Sequence, residues 1–402
     1  MLTVEEAYQI VLVNHADFAD ETIALENALG RVLREPLCAD RPLPPFDRVT
    51  MDGIAILFKT WQNGQRLFKI ESTAAAGKPQ QILQNPANCV EVMTGATLPL
   101  GTDTVVRYED LEIKNGQAAI GGAIKHGQNV HYQGQDRQAG SVIVPAARRI
   151  TPAELGVAAS IGKATVRVAA QPRAVVISTG DELVPVHQTP LPYQIRTSNG
   201  YALQAALQTH GVKADNLHLP DNAAIIERQL ARCLEAYDFI VFSGGVSAGK
   251  FDFVPAALKK LNVKKLFHKV AQRPGKPFWF GISSAGKAVF ALPGNPASTF
   301  MCLHRYTLPW VERSLVGSVG APIMAALDRD FNFEPALTYF LQVKLHLTST
   351  GQYRATPIVG NGSGDLANLA DADAFLELPQ TRSFFEKEAI FPAYLYRQIT
   401  VR

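Results

Sequence analysis

The chain has 402 residues, enough for several domains, each with its own core. Hydrophobic residues make up 47% and charged residues 19%, and 39 basic against 36 acidic residues leave a formal net charge of +3. A balance that even argues against nucleic acid or an anionic membrane as a partner.

Thr3 and Glu6 stand at capping-box spacing, and Val4, Ala7, Tyr8, Val11 and Leu12 follow at helical intervals. The spacing predicts a first helix there and a second over 23–33. Pro42, Pro44 and Pro45 end that region, and Asp52-Gly53 forms a tight turn between apolar residues. From 54 to 145, short apolar runs alternate with Gly, Pro and Asn turns, which predicts a β-rich insert. Thr94 and Gly95 fall just beyond one of its strands, where they either close a turn or reach a ligand. Thr151, Pro152 and Glu154 then read as N-cap, first helical residue and capping partner of a short helix.

From Pro172 the texture changes. RAVVIST, VKADNLHLP and DFIVF read as strands, with helices over 200–210 and after Asp221-Asn222. Strands and helices alternating at this spacing predict βαβ units and a parallel sheet. Three turns follow strands at 238–242, 266–270 and 288–292: SGGVSAGKFDF (243–253), RPGKP (273–277) and PGNP (293–296). Three such loops predict one crevice at the carboxyl edge of the sheet, where open α/β sheets bind ligands. A helix is expected over 297–315. Beyond Pro322 the pattern becomes two-residue alternation, predicting a small antiparallel β domain. Its glycine-dense GNGSGDLANL (360–369) reads either as a ligand-facing or partner-facing loop or as a plain hairpin.

The central turn matches two known frames. Gly244 to Lys250 spells the P-loop spacing, but Phe251 stands where that motif needs Ser or Thr for Mg²⁺. Gly245-Val246-Ser247-Ala248-Gly249 spells a nucleophile elbow, but His268, His304 and His346 do not follow strands of this sheet as a triad would require. Taken together, the turns read differently. Glycine-rich loops expose N–H groups that cradle anions, Arg273 and Lys276 add positive charge, and Asp181, Glu182, Asp221 and Asp252 sit on loops at strand ends. That combination suits a phosphorylated ligand with Mg²⁺, whereas each acid alone reads as a helix cap or a solvated charge.

The four cysteines lie far apart, so neither a zinc site nor a disulfide framework is indicated. No apolar run approaches the ~18 residues that span a bilayer, and no signal peptide is expected at the N-terminus. A cytoplasmic protein is the expectation.

VMTGATLPLGTDTVV, GQNVHYQGQDRQAG, STGDELV, SGGVSAGKFDF, RPGKPFWFG and LPGNPAST resemble, in order and spacing, the molybdopterin molybdenumtransferases (MoeA-type proteins, related to the C-terminal domain of gephyrin). PFDRVTMDGIAI resembles that family's Asp-Gly motif. The resemblance implies a multidomain α/β homodimer. Its parts would be a helical linking domain (1–40 and 138–170), an inserted β-rich domain (41–137), a parallel α/β molybdopterin-binding domain (171–317) and a C-terminal antiparallel β domain (318–402). It implies insertion of molybdenum from molybdate into adenylylated molybdopterin, with Mg²⁺ required and AMP released; a non-catalytic, pterin-binding scaffold is the alternative.

Carried over by motif, Asp52, Glu182, Asp221, Asp252 and Lys276 would be catalytic, with Glu182, Asp221 and Asp252 holding the metal. Thr94, Asp136, Arg273, Pro293 and Pro296 would bind substrate, while Ser243, Gly244, Gly245, Ser247, Gly294 and Asn295 lie on the loops expected to hold its phosphates. Asp52, Thr94 and Asp136 would reach a site shared with a second subunit. Gln133, Gln135, Arg196, Asn222 and Arg273 depart from residues common in the family.

Overall fold

RAVVIST forms the strand Arg173–Thr179 of a six-stranded sheet in the computed structural model, which describes residues 1–245, 253–358, 360, 362, 364–397 and 399. The strand order is Lys213–Leu219, Arg173–Thr179, Phe239–Ser243, Ala288–Leu292, Trp279–Ile282 and Lys264–His268. The first four are parallel. Val175 and Ile177 pack on one face with Ile226 and Leu230 of the helix Ala223–Ala236. Ala174 and Val176 pack on the other with Leu203 and Leu207 of the helix Asn199–Thr209. Burial on both faces is why Arg173–Thr179, Phe239–Ser243 and Ala288–Leu292 read as apolar runs, while the edge strand Lys213–Leu219 does not.

The sheet departs from the expected all-parallel form at one end. FWFG, quoted only as part of a loop motif, supplies the strand Trp279–Ile282, antiparallel to both of its neighbours. Two reversals cancel, so Lys264–His268 again points with the parallel strands and RPGKP emerges at their carboxyl edge. After PGNP one continuous helix runs from Pro296 to Val316: an α-helical start (Pro296–Cys302), a π turn (Leu303–Thr307) and an α-helical end (Leu308–Val316).

The C-terminal β domain closes on itself. Thr338–Leu347, Tyr353–Pro357, Ile323–Leu327, Ile390–Leu395 and Ala374–Leu378 form a ring, the last pairing back to the first. All its pairs are antiparallel except Ile323–Leu327 with Tyr353–Pro357. The two-residue strand Gln272–Arg273, from the RPGKP turn, pairs in parallel with Thr338 and Tyr339 of this ring. These parts, with the helix Val4–Val13, form one compact unit: Met1–Glu21, Gly30–Val32 and Arg167–Arg402.

A second unit holds Thr22–Leu29 and Leu33–Val166. Its six-stranded sheet has the order Thr104–Arg107, Gly53–Ile56, Asn88–Val92, Leu67–Ala74, Gln117–Ile120 and Leu111–Lys114, the β-rich insert that was expected. The helix predicted over 23–33 is absent: Leu25–Asn27 is a single 3-10 turn. The backbone there bonds to the second pass of the chain instead. Leu25 donates to the Ala164 carbonyl, Leu33 donates to the Arg148 carbonyl, and the Leu33 carbonyl accepts from the Ala147 amide. The capping boxes at Thr3 and Thr151 both form, and the Thr151 bonds hold the Glu154 carboxyl down to about 2. Cys89, Cys233 and Cys302 are buried thiols. No helix among the described residues is long and apolar enough to cross a membrane.

Candidate active site

The chain order of the parallel strands reverses between Arg173–Thr179 and Phe239–Ser243, and a cleft of about 460 Å³ opens at their carboxyl ends. Such a switch point leaves a crevice because consecutive connections depart to opposite sides. Thr179 and Gly180 form one wall, Ser243, Gly244 and Gly245 the next, and Pro293, Gly294, Asn295 and Pro296 the third. Glu182 and Asp221 also line it. The Glu182 carboxylate folds back over Gly180, where a Cβ would lie 2.4 Å from its oxygen, so a side chain at 180 would expel it. Asp181 turns away from ligand duty: its Oδ1 accepts from the Asp221 amide at 3.1 Å. Asn222, not Asp221, is the cap of the next helix, accepting from the Ala224 and Ile225 amides. Ser247 and Asp252 lie outside the described residues.

A second cleft, of about 420 Å³, adjoins the first across Pro277, Pro293 and Asn295. It has a different character. Arg273 and Lys276 line it, exposed, and among the described residues no Asp or Glu is in its lining, Asp365 lying just behind and accepting from the Asn368 amide at 3.2 Å. Among the described residues neither cation is in an ion pair. The Arg273 guanidinium lies 5.9 Å from the ring centroid of Phe333, which itself stacks on Tyr339 at 4.1 Å. Burial raises the Tyr339 phenol above its usual range, against the pull of Arg273. Gly360, Gly362 and Asn368 of the GNGSGDLANL stretch line the cleft too.

In the second unit, Asp52 Oδ1 accepts from both the Thr94 amide at 2.6 Å and the Thr94 hydroxyl at 2.7 Å. The hydroxyl and then the amide bond hold this exposed carboxyl below its ordinary range. Thr94 therefore both closes its turn and bonds another predicted site residue. Asp136 Oδ1 lies 2.9 Å from His131 Nε2, and Arg48 Nη2 lies 3.0 Å from His131 Nδ1. An arginine only donates, so Nδ1 accepts and Nε2–H donates to Asp136.

With that geometry in hand, three family profiles match along the chain: the MoeA N-terminal region (domain I and II) over residues 2–162, a probable molybdopterin binding domain over 175–313, and the MoeA C-terminal region (domain IV) over 324–395. A molybdopterin molybdenumtransferase of Synechocystis sp. is 42% identical over 400 residues, covering 98% of this chain and 100% of that one. One from Bacillus subtilis is 31% identical over 414 residues, covering 99% and 94%. The chain belongs to the molybdopterin molybdenumtransferase family. A crystal structure of a molybdopterin biosynthesis MoeA protein from Pyrococcus horikoshii matches at TM-score 0.84 and 27% identity, covering 99% of this chain and all of that one.

For a molybdopterin molybdenumtransferase, the first cleft is a suitable place for Mg²⁺. That ion takes one or two carboxylates and completes its shell with substrate phosphate and water, and Glu182 with Asp221 supplies such a pair. Among the described residues no group of three His, Cys, Asp or Glu could hold a metal unaided. Asn199 was not foreseen as a site residue. Its Nδ2 donates to Ser243 Oγ at 2.8 Å and to the Gly294 carbonyl at 2.7 Å, tying two walls of the cleft together. The one sequence signal was its place: a polar residue opening a helix at the sheet's carboxyl edge.

Proposed function

We propose that this chain takes adenylylated molybdopterin and molybdate, transfers molybdenum to the pterin dithiolene and releases AMP. The observation that carries the reading is the pairing of two adjacent clefts with opposite chemistry. One, at the switch point, holds acids, small loops and a helix N-terminus. The other is lined by two cations and, among the described residues, by no acid. Phosphate with a metal suits the first, and a bare oxyanion suits the second. The relatives share the name of an enzyme, which favours transfer over the scaffold reading.

In this reading Ser243, Gly244, Gly245, Ser247 and the PGNP turn hold the pterin phosphates, and PGNP needs little ordering because proline fixes φ at both its ends. Arg273 and Lys276 hold molybdate. Glu182, Asp221 and Asp252 hold Mg²⁺, which when bound would neutralise charge on the adenylate phosphate. Asp52, Thr94 and Asp136 close the site from the second subunit of a cytoplasmic homodimer.

The test is AMP release from purified protein given adenylylated molybdopterin, molybdate and Mg²⁺. We expect turnover, and a loss of about 100-fold or more in Glu182→Ala and in Asp252→Ala. Absence of AMP release would overturn the activity. Full activity in both variants would overturn the assignment of the acids.

A further inference from the structure

The helix that starts at PGNP also supports the other cleft, through a buried polar cluster. Tyr306 lies in its π turn and is fully buried, and its hydroxyl donates to Gln272 Oε1, a residue equally buried. Gln272 Nε2 donates back to the Gly275 carbonyl at 3.0 Å and to Cys302 Sγ at 3.4 Å. The amide's acceptor and its donors all have partners, as a buried polar group requires. The first of these Nε2 bonds closes the turn that carries Arg273, and the second ties it to the helix. Gly275, at φ +88°, presses that turn onto the helix, since a Cβ there would meet Cys302 Sγ at 2.6 Å. A leucine of similar volume at 272 would pack without any of these bonds. The amide therefore has its explanation in loop geometry, not in burial. The π turn adds one residue to the helix and brings Arg305 and Tyr306 both inside.

We propose that Gln272 and Tyr306 are positioning residues for the oxyanion: they set the turn that aims Arg273 and Lys276 into the second cleft. This rests on assigning that cleft to molybdate. Because neither residue helps to wall the switch-point cleft, their effect falls on one substrate only.

The test is steady-state AMP release with each substrate varied in turn, alongside thermal unfolding. Tyr306→Phe keeps the ring and removes only the donor. It is expected to raise the KM for molybdate about tenfold and to leave kcat and the KM for adenylylated molybdopterin within about twofold. Gln272→Leu should raise the molybdate KM as well, and adding Tyr306→Phe to it should add nothing, since the Tyr306 hydroxyl acts through Gln272. An unchanged molybdate KM in Tyr306→Phe, or equal losses for both substrates, overturns the proposal. Arg273→Ala separates the two levels. If it too leaves the molybdate KM unchanged, the assignment of the cleft fails; if it raises the KM while Tyr306→Phe does not, only the positioning role fails.

Discussion

At the scale of single residues, Asp52 shows how local bonds set a charge. Its carboxylate accepts two bonds from Thr94 and sits below its ordinary value of 3.8. A depressed carboxyl stabilises the fold above its unfolded pKa and loses that contribution as pH falls through the folded one. Asp52→Asn should therefore lower the Tm at neutral pH, and its gap to the wild type should close as pH drops below about 3.8. A gap independent of pH in thermal unfolding would contradict this. Glu182 and Asp221, which both line the first cleft, could be picked out in the sequence only together, because acids recur on loops at one sheet edge and fall within motifs that resemble the family's. Asn199 could not, because its partners Ser243 and Gly294 lie 44 and 95 residues away. The same holds for Gln272, whose reason for being polar is Tyr306, 34 residues on.

At the scale of elements, the Pro296 helix is also pinned to the C-terminal ring. Arg305, 4% exposed in its side chain, bonds Glu377 of the strand Ala374–Leu378 at 2.9 Å and lies 4.1 Å from the Tyr8 ring centroid. Glu377→Leu strips this buried guanidinium of its hydrogen-bonded carboxylate and leaves only Glu5, at 3.7 Å, as a partner, and should cost up to about 3–5 kcal/mol in denaturant unfolding. Arg305→Met combined with Glu377→Leu should cost far less, because no charge is stranded. If the double variant is as unstable as the single one, the pair is not the cause. The helix itself was legible to within a residue at each end from its apolar spacing. The π turn was not, since nothing in LHRYT sets it apart from an α-helical run. The missing helix at 23–33 failed for a related reason. Its periodicity was real, but Leu25 and Leu33 spend their backbone donors on a segment more than a hundred residues later.

At the scale of the molecule, the proposed sharing of sites makes a prediction that single chains cannot meet. A chain with Asp52→Ala and a chain with Glu182→Ala each lack one half of every site. Unfolded and refolded together, mixed dimers would carry one intact site of two, restoring about a quarter of wild-type AMP release. No restoration would place both groups in the same subunit's site. The order of the parts was legible because each has its own texture: β turns, then βαβ alternation, then two-residue alternation. The closure of the last part into a ring was not, since pairing of Thr338–Leu347 with Ala374–Leu378 is a matter of curvature and leaves no local mark.

That ring has one further strand, Gln272–Arg273, laid against Thr338 and Tyr339, and the Thr338 amide donates to the Ala271 carbonyl at 3.0 Å. The Arg273 turn is thereby hydrogen-bonded into a different domain from the one whose sheet it leaves. Its opening is then not the fraying of a free loop but a rupture of the ring's own ladder. The lifetime of the closed turn is tied to how often the ring breathes.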